Sequence, residues 1–564
     1  MTFGLSSFVQ LFYSIWAKVY LLSRRANLLF LDISGEMVER KPGISLVQKY
    51  LGKPPTAFMD LIFALKEAET DPRIKACLAR IGYNSLGWAR ASELREAINR
   101  FRASGKKAFA FLEESGNLEY FIATACDEII IPPSISLDLI GLLTEVIYFK
   151  GILDKLEIKP EFIQVGKYKS ALEPFIRDSM SEEHREALSA ILDDIFNEFV
   201  QAIKKSRNLP EDKVKTLIDQ APFLPDDALL QKLVDRLLYQ DQLDEYIESI
   251  ISEPVNKINA EHFYRLRLSA RLGMDFFRRI PRLALVYATG VIEPGDKDDY
   301  QDFEDNVNAE QMLKTLAAIR ENPKIKAAVL RIDSPGGSAT SSDLIWREVK
   351  LLSQSKPLIV SMADTAASGG YYLAMAGEKI LAQPCTITGS IGVLAGKINL
   401  RGLYHKIGLK KEQIKRGEDA DLYSDYTDLT GTRKNKLLKE IEHFYHRFIE
   451  KAAQARKMTT EEMDQKAQGR VWTGKQALDI GLIDGFGGLR KAIDLAKQAI
   501  GLEPEERALV EIYPRPRRRL FPIFRLRIPT LPFSQDKESR WLSHFARLTR
   551  ERLLLLMPFI IRIK

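Results

Sequence analysis

Short apolar runs alternate with longer amphipathic stretches along most of this 564-residue chain. The apolar runs have the length of buried strands, and the stretches between them place apolar residues three and four positions apart, as helices do. This alternation predicts an α/β fold with mostly parallel sheets. Two helices are expected at 91–103 and 308–320, and strands at 28–33, 75–81, 108–112, 128–131, 283–288, 327–332, 358–362 and 379–382.

The same pattern occurs twice, because residues of the first half recur 251 positions later. Residues 72–76 match 323–327, and Tyr120 matches Tyr371. One offset held across apolar runs, turn residues and charges indicates an internal duplication. The expected parts are an N-terminal membrane anchor or interfacial helix, a first repeat, a helical connection, a second repeat and a basic amphipathic tail, at 1–26, 27–250, 251–281, 282–500 and 501–564.

The two copies differ where reactive groups would stand. Ser368, within Ala-Ala-Ser-Gly-Gly, occupies the position that Asn117 holds in the first copy. The glycine pair of the second copy, Gly336 and Gly337, has no counterpart in the first. Conversely, the first-copy segment that contains Lys169 aligns with a second-copy segment that has no lysine. Each half keeps what the other lost, which predicts one composite site between the halves.

The chemistry of these residues supports a hydrolytic site. A serine hydroxyl needs a neighbouring base, and a lysine can serve if burial lowers its pKa enough to leave the amine neutral. Lys169 is the candidate base for Ser368. The glycines expose backbone N–H groups at tight turns, so the amides of Gly369 and of Gly336 or Gly337 are expected to form an oxyanion hole.

Histidine and metal chemistry are both disfavoured. None of the six histidines stands in a glycine-rich turn beside an apolar strand, and most are expected on solvated helix faces. His443 and His446, with Glu442, have helical spacing that suits a metal ion, but no further ligand has a recognisable spacing. An exposed helix face is therefore the favoured interpretation, and no metal or cofactor is predicted.

Four motifs in a fixed order resemble those of a known family. They are Asp-Ser-Pro-Gly-Gly-Ser at 333–338, Ala-Ala-Ser-Gly-Gly-Tyr-Tyr at 366–372, Thr-Gly-Ser-Ile-Gly at 388–392 and, upstream, Tyr-Lys-Ser-Ala-x-Glu-Pro-Phe at 168–175. From about residue 27 to 500 the chain resembles the signal peptide peptidase A (protease IV, SppA) family in its long tandem form. The resemblance implies an α/β tandem duplication of a Clp protease/crotonase-like domain.

The resemblance also implies roles for particular residues. Ser368 and Lys169 would form a Ser/Lys dyad, and Ser390 would orient the lysine amine. Lys167 is the rival base, with an exposed surface lysine as its alternative interpretation. The implied protein is a membrane-associated serine endopeptidase that degrades released signal peptides and other apolar peptides. The family further implies a homotetramer at the bacterial inner membrane.

Two other functional classes stay open. Crotonase-like folds use paired backbone amides on thioester enolates, so an acyl-CoA enzyme is one alternative, and it would not need Ser368 as a covalent nucleophile. A membrane scaffold with an inactive dyad is the other. Intact Ser368, Lys169 and both glycine pairs favour the peptidase over the scaffold.

Both termini indicate contact with a membrane. Residues 3–22 are nearly all apolar, which suits a short spanning or interfacial helix. If this helix spans the membrane, Arg24 and Arg25 favour a cytoplasmic position for the rest of the chain, whereas the resemblance implies the outer side of the inner membrane. Residues 514–564 carry a net charge of +10, against −3 for the rest of the chain. Arginines mixed with apolar anchors are typical of segments that bind anionic lipid. Nucleic acid is the disfavoured partner, since nothing else resembles a nucleic-acid module.

Overall fold

The computed structural model describes residues 26–40, 55–275, 280–295, 306–515 and 553–557, together with Ala17. The helix expected at 3–22 and most of the basic tail lie outside these residues. In the described part of the chain, no helix combines the length and the apolar character needed to cross a bilayer.

A six-stranded parallel sheet forms the centre of the first half. Strands such as Ala76–Asn84 are buried on both faces, because helices cover both sides, and they therefore appear as nearly continuous apolar runs. The four strands predicted in this half are confirmed. Two short outer strands of two and three residues were not predicted, since they carry too few residues for a pattern. In spatial order the strands are Arg236–Leu237, Glu128–Ile131, Lys107–Leu112, Ala76–Asn84, Leu28–Gly35 and Lys257–Asn259.

The second half repeats this sheet strand for strand, which confirms the duplication at the level of topology. Two further strands, Ile387–Gly389 and Val471–Thr473, extend it beside the end of the long central strand Leu358–Ala367. In the order that matches the first half, the strands are Gly485–Phe486, Lys379–Ala382, Leu358–Ala367, Ile325–Ser334, Arg282–Thr289 and Leu509–Tyr513.

Helices fill the space between strands in both halves. Those of the first half and the connection are Phe58–Thr70, Trp88–Ala103, Asn117–Ala123, Lys150–Lys155, Glu173–Ile176, Glu182–Arg207, Glu211–Gln220, Pro225–Leu230, Leu243–Ile251 and Ala260–Asp275, with 3-10 turns at Ser170–Leu172 and Gln240–Gln242. Those of the second half are Ala309–Glu321, Ala339–Ser355, Gly369–Ala374, Arg401–Lys406, Gly431–Arg456, Thr460–Lys466, Gly474–Asp479 and Leu489–Gln498. The longest helix of each half has 26 residues and ends at a left-handed residue, Asn208 or Lys457.

A third sheet joins the halves. Val393–Asn399 of the second half pairs antiparallel with Lys159–Val165 of the first over seven residues. Met37–Val38 and Thr56–Ala57 form a small separate ribbon. The third sheet thus places the segment just before Lys169 beside the segment just after Ser390. Its strands in spatial order are Asn306–Asn308, Val291–Glu293, Gly336–Ser338, Leu554–Leu556, Val393–Asn399 and Lys159–Val165.

Buried charges also hold the halves together. The guanidinium of Arg331, in the second half, is fully buried between two first-half carboxylates, Glu39 at 3.0 Å and Glu93 at 2.8 Å. Nearby, Arg90 of the first half pairs with Asp364 of the second. Because an unpaired buried charge is costly, these pairs favour one relative placement of the halves.

Candidate active site

Ser368 stands at the junction between the strand Leu358–Ala367 and the helix Gly369–Ala374. Its backbone has φ 55° and ψ −111°, a conformation that L residues rarely adopt and that surrounding structure must enforce. Here the Ser368 N–H donates to the Gly389 carbonyl at 2.8 Å, and the Ser368 carbonyl accepts from the Tyr372 N–H at 2.8 Å. The hydroxyl is therefore held at one place, in a fully buried setting.

Lys169 reaches this serine from the first half. Its Nζ lies 2.7 Å from Ser368 Oγ, 2.9 Å from the Ser390 carbonyl oxygen and 3.0 Å from Ser390 Oγ. The side chain is fully buried, and this desolvation holds the pKa of the amine well below its ordinary value. A lowered pKa favours the neutral amine, whose lone pair can accept the serine proton.

Two glycines of the second half form the slot that holds Lys169. A side chain on Gly469 would come within 2.6 Å of Lys169 Cβ, and one on Gly392 would come within 3.1 Å of Lys169 Cδ. The Tyr168 N–H donates to the Gln468 carbonyl at 2.8 Å, which fixes the chain next to the lysine. Sequence reasoning missed Gly469, because Gln-Gly by itself is typical of any turn.

Ser390 and Lys167 differ in their relation to the dyad. Ser390 also has a positive φ, 52°, and its N–H donates to the Arg470 carbonyl at 2.7 Å, so it presents both its oxygens to the Lys169 amine. Lys167 is exposed, and its Nζ lies 5.0 Å from the ring centroid of Tyr168. Of the two candidate bases, only Lys169 contacts Ser368.

The two glycine pairs meet beside the serine. A side chain on Gly369 would lie 3.0 Å from Gly336 Cα and 3.2 Å from Gly337 N, so these backbones approach as closely as glycine allows. The Gly336 N–H already donates to Ser334 Oγ at 3.2 Å. The amides of Gly337 and Gly369 are therefore the better-placed pair for an oxyanion, a choice that the sequence left open between Gly336 and Gly337.

The described histidines include both exposed and buried side chains. His443 and His446 are exposed, in agreement with a solvated helix face. His184 departs from that expectation, because it is buried with its Nδ1 3.0 Å from Glu173 Oε2. Among the residues that the structure describes, no group of three His, Cys, Asp or Glu side chains is arranged to hold a metal ion.

Comparison with known proteins places the chain in a family. The model of peptidase family S49 matches residues 100–249 and 350–503, and the Clp protease model matches 300–388. Serine protease SPPA, chloroplastic, of Arabidopsis thaliana is 35% identical over 515 residues, which are 90% of this chain and 73% of that protein. Protease 4 of Haemophilus influenzae is 32% identical over 482 residues, 83% of this chain and 75% of that protein.

Among solved structures, a ClpP1 point mutant from Listeria monocytogenes matches 39% of this chain and 99% of its own, with 17% identity and a TM-score of 0.25. The assignment depends instead on the family models and the sequence relatives. The S49 match in both repeats, the Clp protease match and the repeated parallel sheets identify a tandem Clp/crotonase-like α/β fold. The chain therefore belongs to peptidase family S49 and is a serine-type protease of the SppA family.

Proposed function

We propose that this protein is a membrane-associated endopeptidase that degrades released signal peptides and other apolar peptides through a Ser368–Lys169 dyad. The observation that carries the proposal is the contact of 2.7 Å between Lys169 Nζ and Ser368 Oγ, both fully buried. A fully buried lysine in contact with a serine hydroxyl is placed to act as a base, and it cannot serve as a solvated surface charge.

The proposed reaction follows from this geometry. Ser368 Oγ attacks the substrate carbonyl carbon while its proton passes to neutral Lys169. The amides of Gly337 and Gly369 stabilise the oxyanion, and the lysine ammonium then protonates the leaving amine. Water attacks the acyl-enzyme and gives a proton to Lys169; the bond between Ser368 Oγ and the acyl carbon then breaks, Lys169 returns the proton to Oγ, and the second product leaves as a carboxylic acid. Ser390 keeps the amine pointed at Ser368 throughout.

The surroundings of the dyad suit apolar substrates. A cluster of apolar side chains borders the third sheet just beyond Lys169, and a relative from Enterococcus faecium, 34% identical over 193 residues, is named a putative signal peptide peptidase. Peptides with alternating large apolar residues would bury them here. The lining side chains are Ala171, Leu172, Phe175 and Leu394, with Phe149, Leu153, Phe162 and Val291 packed against them, and Leu554 and Leu556 of the chain's own tail occupy the cluster in this structure.

We further infer that the chain assembles head to tail into a homotetramer. At the offset of 251, residues 142–148 are the first-half counterpart of Val393–Asn399, and residues 410–416 are the second-half counterpart of Lys159–Val165. Neither counterpart forms a strand in the described part of one chain. These segments expose Leu143, Ile147 and Ile414. Pairing 142–148 of one copy with 410–416 of the next would repeat the internal contact, and such a heterologous interface forms a ring when the rotation between copies closes.

Substitution tests this assembly directly. Leu143→Asp and Ile414→Asp are each expected to lower the mass measured by light scattering to that of a monomer. Leu230→Asp is the control, because Leu230 is also well exposed, at 76%, but ends the helix Pro225–Leu230 and belongs to neither segment. A tetramer that survives both substitutions would contradict the pairing.

Membrane association is proposed from the termini. The net charge of +10 on residues 514–564 favours anionic lipid. Flotation with vesicles that contain anionic lipid, compared with neutral vesicles, tests it. Equal binding to both would assign the association to apolar contacts at residues 3–22.

Peptide cleavage tests the catalytic proposal. Detergent-solubilised protein is expected to hydrolyse a fluorogenic apolar peptide, with an acyl adduct on Ser368 detected by mass spectrometry, and Ser368→Ala and Lys169→Ala are expected to lose turnover. Lys167→Ala is the matched control and should keep it. The rate should rise as pH passes through the lowered pKa of Lys169, with a plateau below the ordinary lysine value of 10.5. Turnover unchanged in the dyad variants, or absence of fluorophosphonate labelling, would favour the acyl-CoA or scaffold alternatives.

A further inference from the structure

The described C-terminal segment, residues 553–557, lies against the proposed oxyanion glycines. Its strand Leu554–Leu556 pairs antiparallel with Gly336–Ser338 and also contacts Val393–Asn399 on its other edge. At its two ends the Ala339 N–H donates to the Leu553 carbonyl at 3.1 Å, and the Met557 N–H donates to the Pro335 carbonyl at 2.8 Å. The segment thus completes the third sheet as an inserted strand.

The register places the Leu555 carbonyl against one of the two amides proposed to bind the substrate oxyanion. Hydrogen-bonded pairs alternate along an antiparallel ladder, so Leu555 and Gly337, midway between the two bonded ends, exchange N–H and carbonyl bonds. The Leu555 carbonyl therefore accepts from the Gly337 amide. A side chain on Gly336 would meet that carbonyl oxygen at 1.9 Å and the Gly369 nitrogen at 2.7 Å, so the second amide is also close.

The side chains of the segment alternate between two apolar environments. Leu553 and Leu555 pack into the core of the second half, whereas Leu554 and Leu556 pack into the cluster beyond Lys169. All five residues, 553–557, are at most 8% exposed. An extended apolar peptide would fill the same positions with the same backbone bonds.

We propose that residues 553–557 are a built-in competitive inhibitor of the substrate groove. This inference rests on the proposed peptidase function, because it assigns regulation to that same site. The segment occupies the Gly337 amide and the apolar cluster, so an incoming peptide cannot bind to them. As part of the same chain it acts at a high effective concentration, so a substrate binds only from the fraction of molecules whose groove is open.

Two charged substitutions should open the groove. In Leu554→Asp/Leu556→Asp the carboxylates cannot remain in the apolar cluster. The expected result is a KM for the fluorogenic apolar peptide that falls about tenfold or more, with kcat unchanged, because the competent fraction rises. Leu520→Asp/Leu526→Asp is the matched control, with the same change elsewhere in the tail, and its KM should equal that of the unaltered chain.

Hydrogen exchange tests the same proposal without measuring hydrolysis. In the Ser368→Ala chain, hydrogen exchange of the 553–557 amides should be slow, and Leu554→Asp/Leu556→Asp in that background should make it fast. Rapid exchange in Ser368→Ala itself would overturn the inference. Loss of residues 556–564 on incubation, seen by intact mass, would also overturn it, because the segment would then be a substrate.

The two proposals fail separately. If the unaltered chain and both tail variants label equally with fluorophosphonate at Ser368 and share one KM, the built-in inhibitor is wrong and the peptidase stands. If the Leu554→Asp/Leu556→Asp chain shows fast exchange at 553–557 yet neither labels nor hydrolyses, the peptidase itself is wrong.

Discussion

The two repeats share a sheet order but hold one backbone position differently. Ser368 has φ 55° and ψ −111°, whereas its counterpart Asn117 begins an ordinary helix after Gly116, which has φ −72° and ψ 179°. The same strand-to-helix junction therefore forms without strain in the first half. Because the fold does not require a strained backbone at this junction, the strain at Ser368 is a feature of the candidate site.

Other paired positions are kept in both halves. The Tyr120 hydroxyl donates to the Leu233 carbonyl at 2.6 Å, and the Tyr371 hydroxyl donates to the Leu482 carbonyl at 3.0 Å. Such bonds join the helix after each junction to the end of its own repeat. The two halves therefore share these structural contacts, whereas the residues proposed to carry out catalysis differ between them.

Exchanging the residues at the junction gives the largest expected effect. Ser368→Asn, which gives the second half the first half's residue, should lower peptide hydrolysis by at least about 10,000-fold, because the nucleophile is gone. Asn117→Ser should leave the rate unchanged, since Lys169 contacts the second half's junction instead. Ser368→Ala, with thermal unfolding of each chain, separates loss of the hydroxyl from a poor fit of asparagine. Residual hydrolysis in Ser368→Ala near the original rate would contradict the dyad.

A second contrast concerns equivalent arginines. Arg331→Met leaves two buried carboxylates unpaired and should cost about 3–5 kcal/mol in the free energy of unfolding. Arg80, at the matching position of the first half, pairs with Asp32 at 3.0 Å and is 25% exposed, so Arg80→Met should cost about 1 kcal/mol or less. Denaturant unfolding measures both. Equal costs would show that the buried cluster does not hold the halves together.

The glycine behind the lysine gives a smaller effect. Gly469→Ala should lower kcat/KM about 100-fold, because a methyl group there displaces the Lys169 backbone and a small displacement is costly at a reacting centre. Gly501→Ala is the control, since Gly501 has φ +78° against +75° for Gly469 but has open space around it. Both should lose similar stability from the positive φ. A comparable loss of activity in the two would assign the effect to destabilisation.

The smallest expected effect is in the free energy of unfolding, where the difference between glycine and alanine should have opposite signs at residues 368 and 117. At residue 368, with φ 55°, glycine should be about 1 kcal/mol more stable than alanine, because glycine accepts this backbone freely. At residue 117, in a helix, glycine should be about 0.5–1 kcal/mol less stable than alanine. Thermal unfolding of the four variants measures both differences. The same sign at both positions would mean that Ser368 is not strained.

Much of this arrangement could be predicted from the duplication alone. Complementary losses in the two copies indicated that Ser368 and Lys169 would meet, and the structure places them 2.7 Å apart, although their catalytic roles stay predictions. Strand positions were predicted well because buried parallel strands are continuous apolar runs. The sequence could not favour Gly337 over Gly336, since that choice depends on the bond that the Gly336 N–H donates to Ser334 Oγ. Nor could it predict Gly469, whose contact with Lys169 joins segments that are far apart in the sequence.

The composite dyad also has a consequence for biosynthesis. Lys169 and Ser368 lie 199 positions apart, and the pairing of Lys159–Val165 with Val393–Asn399 adds a further long-range contact. At translation rates of about 5–20 residues per second, the strand partner of the lysine segment emerges on the order of 10 s or more after it. On the proposed mechanism, the nascent first half therefore carries a base without a nucleophile. A chain that is still being made would then be unable to hydrolyse its neighbours, and hydrolysis would begin only when the second repeat has folded onto the first.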